Sequence, residues 1–214
     1  MSLTVPRGSI YVLSGANGAG KTTAISVLAG LLFAEGGSLT WNGAAMRLDR
    51  FGPREGLGFV PDTPILDADL TGWQWLAFTA AVKGHSPVSG ESLAGDFDLA
   101  SDTLSSPIRL LSFGNQRRVA LWAEMATSSR VLLLDEPLIG LDPLAIERFR
   151  RTAIAFVENG RSIVLSTHLL REAEILATHV GIIHGGVTVR EGSLDRVCEG
   201  KTLQDTFLSA IGAC

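Results

Sequence analysis

Short apolar runs alternate along this chain with longer stretches in which apolar residues recur every three or four positions. Residues 9–14 are β-rich and stop at Gly15, and Ile25, Leu28 and Leu32 recur at helical spacing after Lys21. The first unit therefore reads as strand, glycine-rich loop and helix. Residues 38–41 read as a strand turned by Asn42 and Gly43, and residues 58–60 as another ended by Pro61. From Leu70 the pattern is helical, with Thr71 and Gln74 spaced as a capping box and Gly84 placed to end the helix. Residues 85–109, rich in Ser, Gly, Asp and Pro, predict short helical turns and loops. Ser112 is placed to cap a helix reaching about Ala126, and residues 131–135 form a continuous apolar run of the kind seen in buried parallel strands. A helix from Pro143 to Asn159 closed by Gly160, a strand at 162–166, a helix at 169–178 and strands at 180–184 and 186–190 complete the pattern. This alternation predicts an α/β fold with a mostly parallel sheet flanked by helices. There is no internal repeat and no linker that would separate two independent domains.

Composition narrows the class. Hydrophobic residues make up 46% of the 214 residues and charged residues 19%, a packed globular composition that excludes global disorder. A net charge of -4 argues against a protein that holds nucleic acid by neutralising phosphates, although a local basic patch stays open. No apolar run approaches the roughly 18 residues needed to cross a bilayer. The start of the chain lacks the layout of a signal peptide, and Cys198 and Cys214 are too few and too isolated for a disulfide framework or a metal site. These features together predict a cytosolic location.

Candidate chemistry begins at the first loop. Gly15, Ala16, Asn17, Gly18, Ala19, Gly20, Lys21 and Thr22 fit the phosphate-binding pattern G-x-x-x-x-G-K-[ST], between strand and helix as that motif requires. Its glycines let backbone N–H groups turn on phosphate oxygens, and the helix N-terminus, which Thr23 continues, favours negative charge. Lys21 is placed to reach the β- and γ-phosphates, and the Thr22 hydroxyl to reach Mg²⁺. A second piece is the apolar strand ending in Asp135 and Glu136. Asp135 suits the Mg²⁺ shell, and Glu136, one residue beyond, is placed to polarise an attacking water.

The order of these motifs resembles the ABC ATPases over nearly the whole chain: residues 15–22, then Leu111, Ser112, Phe113, Gly114 and Asn115, then Asp135 and Glu136, then Leu141 and Asp142, then His168. The resemblance implies a P-loop NTPase core with an inserted helical signature subdomain. Residues 1–62 and 131–214 would form the catalytic core of a single 1–214 domain, and about 63–130 the subdomain. It also implies that Ser112 and Gly114 face the γ-phosphate of ATP bound to a partner subunit, and that His168 touches the γ-phosphate within its own subunit. ATP and Mg²⁺ are the implied cofactors. The implied partners are a second ABC ATPase subunit, in a homodimer or heterodimer, and an integral membrane permease, with no nucleic acid. The chain would then sit in the cytoplasm, peripheral to the inner face of the cell membrane.

Phe113 and Asn115 depart from the family's Leu-Ser-Gly-Gly-Gln signature. Asp62 stands where the family normally has a glutamine; its oxygens suit Mg²⁺, and an acid there resembles the branch that exports drugs, lipids and polysaccharides. Only 20 residues precede Lys21, fewer than the family's usual two extra strands with an adenine-stacking aromatic require. Tyr11 is too close to the loop to serve, so a truncated start and a weakened or poorly base-selective ATP site are expected. On the helix after Leu70, one apolar stripe (Leu70, Trp73, Ala77, Ala80) and a second (Trp75, Phe78, Val82) leave one face for the core and one for a permease helix, unless both are buried. Two alternatives stay open: a non-hydrolytic subunit of a heterodimer, and an ABC ATPase acting on nucleic acid.

Overall fold

The computed structural model describes residues 1–48, 52, 54–84, 90–127 and 129–212; His85 and Cys214 lie outside them. Strand β1 (Ile10–Gly15) occupies the middle of a six-stranded sheet together with β4 (Leu57–Val60), β5 (Val131–Asp135), β6 (Ser162–Thr167), β7 (His179–His184) and β8 (Val187–Ser193). The order is β4-β5-β6-β1-β7-β8, and every pairing is parallel except β7 with β8. Two short strands, β2 (Leu39–Trp41) and β3 (Ala44–Met46), pair separately as the hairpin that Asn42 and Gly43 predict.

The period of two along each strand divides the core between the two faces of the sheet. Ile10, Val12, Leu132, Leu134, Ile163 and Leu165 point to one face, where they share a cluster with Val119, Trp122, Phe149 and Leu176. Tyr11, Leu13, Leu133, Val164 and Ile183 point to the other, against Ala24, Ile25 and Ala29 of helix α1 (Lys21–Ala29). The strands between helices are thus buried on both faces, which is why they read as continuous apolar runs.

Between β4 and β5 the chain is mostly helical: α2 (Gly72–Val82), α3 (Glu91–Asp96), α4 (Ser101–Ser105), a 3-10 turn (Ile108–Leu110) and α5 (Phe113–Ala126). The Thr71–Gln74 capping box opens α2, and the Ser112 hydroxyl caps α5 by accepting the Asn115 N–H at 3.3 Å. Helix α6 (Pro143–Glu158) is capped by Asp142 and followed by Gly160 at φ 76°. Helices α7 (Leu170–Leu176), α8 (Leu194–Cys198) and α9 (Leu203–Ala210) complete the described fold. No described helix is long and apolar enough to cross a membrane.

Two expectations are corrected. Helix α1 ends at Ala29, because Gly30 turns left-handed and its N–H caps the Val27 carbonyl. Leu32 therefore lies outside the helix and is exposed. On α2 the buried face is Gly72, Leu76, Thr79 and Ala80, with Trp73 partly buried and Ala77 exposed. The two stripes read from sequence were drawn to one side of that face.

Candidate active site

Parallel pairing brings the C-terminal ends of adjacent strands level. Leu13 and Ser14 of β1 lie beside Ser166 and Thr167 of β6, and Asp135 of β5 lies beside Ser166. Residues just past these strands must therefore collect at one edge, where open α/β sheets bind ligands. Val60 of β4 pairs with Leu134, so Asp62 and Glu136, each two residues further on, emerge at the same end.

The loop from Gly15 to Gly20 wraps this edge. A Cβ on Gly15 would sit 2.7 Å from the Ile183 carbonyl oxygen, so no larger residue fits there. Gly18 and Gly20 take φ of 80° and 102°, the left-handed region that favours glycine. The Ala19 N–H donates to the Ala16 carbonyl at 3.1 Å, and the Gly186 N–H to the Ala19 carbonyl at 3.1 Å, so the loop is tied to the β7–β8 turn. Ala16, Asn17, Gly18, Thr22 and Thr23 are exposed, which leaves the α1 N-terminus accessible. An anion would meet its unpaired N–H groups there.

Lys21 is 6% exposed, and its ammonium donates to the Gly15 carbonyl at 2.8 Å and the Ala16 carbonyl at 3.3 Å. The same ammonium lies 3.6 Å from Glu136 Oε1. His168, just past β6, places Nδ1 3.0 Å from that oxygen, while its ring stays 41% exposed. Glu136 Oε2 is buried and has no hydrogen-bond partner. One carboxylate oxygen is thus held by two side chains from different elements.

Asp135 is buried and accepts a hydrogen bond from Ser166 Oγ, which in turn accepts the Glu136 N–H at 2.9 Å. A single hydroxyl thereby fixes both acids. Burial pushes the Arg117 guanidinium below its ordinary pKa, against the opposing pull of Asp62, Glu136 and Asp135. Tyr11 is part of the core: its hydroxyl donates to Glu191 Oε1 at 2.9 Å, and burial with that carboxylate pushes its pKa up.

The structure thus gathers Gly15, Lys21, Asp135, Glu136 and His168 through direct contacts, with Thr22 on the adjoining turn and Asp62 beside Glu136 by register. Ser112 and Gly114, at the start of α5, make no hydrogen bond with the loop from Gly15 to Gly20 among the described residues. Ser166 and Arg117 were not singled out by the sequence. Ser166 carried a faint signal as the residue two before His168, whereas Arg117 looked like any charge on a helix.

Thr22, Asp135 and Asp62 offer hard oxygen donors. Among the described residues no three His, Cys, Asp or Glu side chains converge as metal ligands. Oxygen donors of this kind are the ones magnesium accepts.

Residues 1–139 match the family model described as ABC transporter. The lantibiotic transport ATP-binding protein SrtF of Streptococcus pyogenes is 30% identical over 216 residues, covering 99% of this chain and 89% of that protein. The daunorubicin resistance ATP-binding protein DrrA3 of Streptomyces coeruleorubidus is 32% identical over 201 residues, covering 92% of this chain and 63% of that one. A solved ATP binding subunit of an ABC transporter superimposes with a TM-score of 0.88 at 31% identity, covering 97% of this chain and 90% of that one. A phosphate-type loop, paired acids and a histidine meeting at the ends of parallel strands, together with these likenesses, place the chain in the ABC transporter family as an ATP-binding domain.

Proposed function

We propose that this chain is the ATP-binding and ATP-hydrolysing subunit of an ABC transporter, energising a separate membrane permease for export. The observation that carries this reading is the state of Glu136: Oε1 is held by His168 and Lys21, and Oε2 is buried without a partner. A carboxylate fixed through one oxygen by a histidine and a lysine, with no protein donor on the other, suits a general base for water.

In this reading the N–H groups of residues 15–23 bind the phosphates, and Lys21 swings from the Gly15 carbonyl to the γ-phosphate. Thr22, Asp135 and Asp62 would hold magnesium, which supplies neutralisation of phosphate charge when bound. Glu136 draws the proton from the attacking water. His168 orients Glu136 and touches the departing phosphate. Ser112 and Gly114, remote from their own loop, serve the ATP of a second subunit, either a copy of this chain or another ABC ATPase. Residues 63–130 act as the signature subdomain within the 1–214 domain.

The names of the relatives, a lantibiotic transporter and a daunorubicin resistance protein, support export, as does an acid at position 62. The permease would meet α2, where Phe78 is 51% and Val82 61% exposed. Val82 also lines a groove of about 1080 Å³ with Leu31, Trp41, Met46 and Phe59. Such a subunit works at the inner face of the cell membrane.

Equilibrium binding of magnesium ATP to the purified chain, followed alongside its oligomeric state, tests the proposal. Wild type should bind ATP and form an ATP-dependent dimer, and Lys21→Ala should lose both. A folded wild-type protein that binds no nucleotide would overturn it.

A further inference from the structure

Arg117 lies on α5, five residues past Ser112, and is only 2% exposed. Its Nη1 donates to the backbone carbonyl of Glu136 at 2.6 Å. Glu136 has φ 46°, a left-handed conformation that residues with a Cβ adopt only when their surroundings impose it. Ser166 grips the N–H of that residue, and Arg117 grips its carbonyl. Both backbone polar groups of the strained residue are therefore held by side chains from other elements, one from β6 and one from α5.

One departure from the family's signature, Phe113, meets the same guanidinium. The Phe113 ring lies 5.4 Å from the Arg117 guanidinium carbon, within range of a cation–π contact. That ring also lies against Gly140, where an added Cβ would be 3.6 Å from the Phe113 ring edge. Arg118, the next residue, turns instead to Asp98 and Asp142, at 3.4 Å and 2.7 Å. The two arginines therefore have different tasks.

We propose that Arg117 is a positioning residue: it clamps the Glu136 backbone in the conformation that aims the carboxylate at the phosphates. Phe113 covers the guanidinium and keeps it in place. The inference rests on the reading of Glu136 as general base. It gives the helix that begins at Ser112 a direct mechanical connection to the catalytic carboxylate of its own subunit.

The test uses the full chain with Arg117→Met, Arg117→Lys, and Glu136→Gln as reference. Folding is checked by circular dichroism, and Arg117→Lys keeps the buried charge should the methionine variant fail to fold. Arg117→Met should lower turnover at saturating ATP by about 10–100-fold, the scale of a small misplacement of a catalytic group. ATP affinity should stay at the wild-type level, since the phosphate loop and Lys21 are untouched, so the loss falls on turnover and not on binding. Arg117→Lys should keep affinity and lose turnover, because an ammonium offers the charge without the planar fork. Wild-type turnover in Arg117→Met, or a loss of ATP affinity in step with turnover, would overturn the proposal. Undiminished turnover in Glu136→Gln would instead remove the reading of the base itself.

Discussion

Around Glu136 a left-handed backbone, a buried carboxylate and two nitrogen-bearing neighbours coincide, and Ser166 connects them to Asp135. Replacing Ser166 by Ala leaves the Glu136 N–H and an Asp135 oxygen without their partner inside the protein. Unsatisfied buried groups cost about 1–3 kcal/mol, so urea unfolding of Ser166→Ala should shift by that amount, with turnover falling as well. Unchanged stability and turnover would mean that the hydroxyl positions neither acid. The sequence revealed residues 15–22, Asp135, Glu136 and His168 because their chemistry is bound to short, ordered spacings beside strands. It hid Ser166 and Arg117, which act from 30 and 19 residues away on the backbone of another residue. Contacts of that kind leave no periodicity or motif.

Element boundaries were legible where local chemistry sets them. The Thr71 capping box and the Ser112 cap both open their helices as read, since a side chain satisfying an N–H three residues on is written in the sequence itself. The end of α1 was misread because Leu32 continues the apolar spacing, and only the left-handed turn at Gly30 breaks the helix. Helices α8 and α9 went unread, although Thr202 accepting from the Asp205 N–H at 3.1 Å is a cap the sequence offered. The C-terminal end of α2 carries a further polar tie: Lys83 donates to Glu124, to Thr127 Oγ1 at 2.7 Å and to Ser129 Oγ at 2.9 Å. Burial pushes the Glu124 carboxyl above its ordinary pKa, despite the opposing Lys83 ammonium. A raised pKa in the folded chain means that the fold holds this proton more tightly than the unfolded chain does. Its contribution is full below the ordinary glutamate value near about 4.3 and is lost as pH rises through the folded value. Glu124→Gln, which cannot titrate, should therefore gain stability relative to wild type as pH rises above that point. Denaturant titrations at several pH values check this, and a gap independent of pH would contradict it.

For the molecule as a whole, a mostly parallel sheet was legible as an α/β alternation, while the order of its strands and the faces presented to partners were not. Sequence periodicity placed Phe78 and Val82 on an apolar stripe but could not say which stripe the core would take. In the structure the core takes Leu76, Thr79 and Ala80, leaving Phe78 and Val82 exposed, Val82 at the groove beside β4. Replacing both by Ser should abolish copurification with the cognate permease and change stability by no more than about 0.5 kcal/mol, as exposed substitutions do. Loss of folding would place these side chains in the core instead. Turnover is the molecular property on which the account depends, and the cleanest measurement is phosphate release by wild type and by Glu136→Gln at saturating magnesium ATP, with bound nucleotide quantified in the same samples. Glu136→Gln should bind ATP as wild type does and release phosphate about 10²–10⁴-fold more slowly, the range general-base catalysis supplies. Equal rates of release in the two proteins would contradict it.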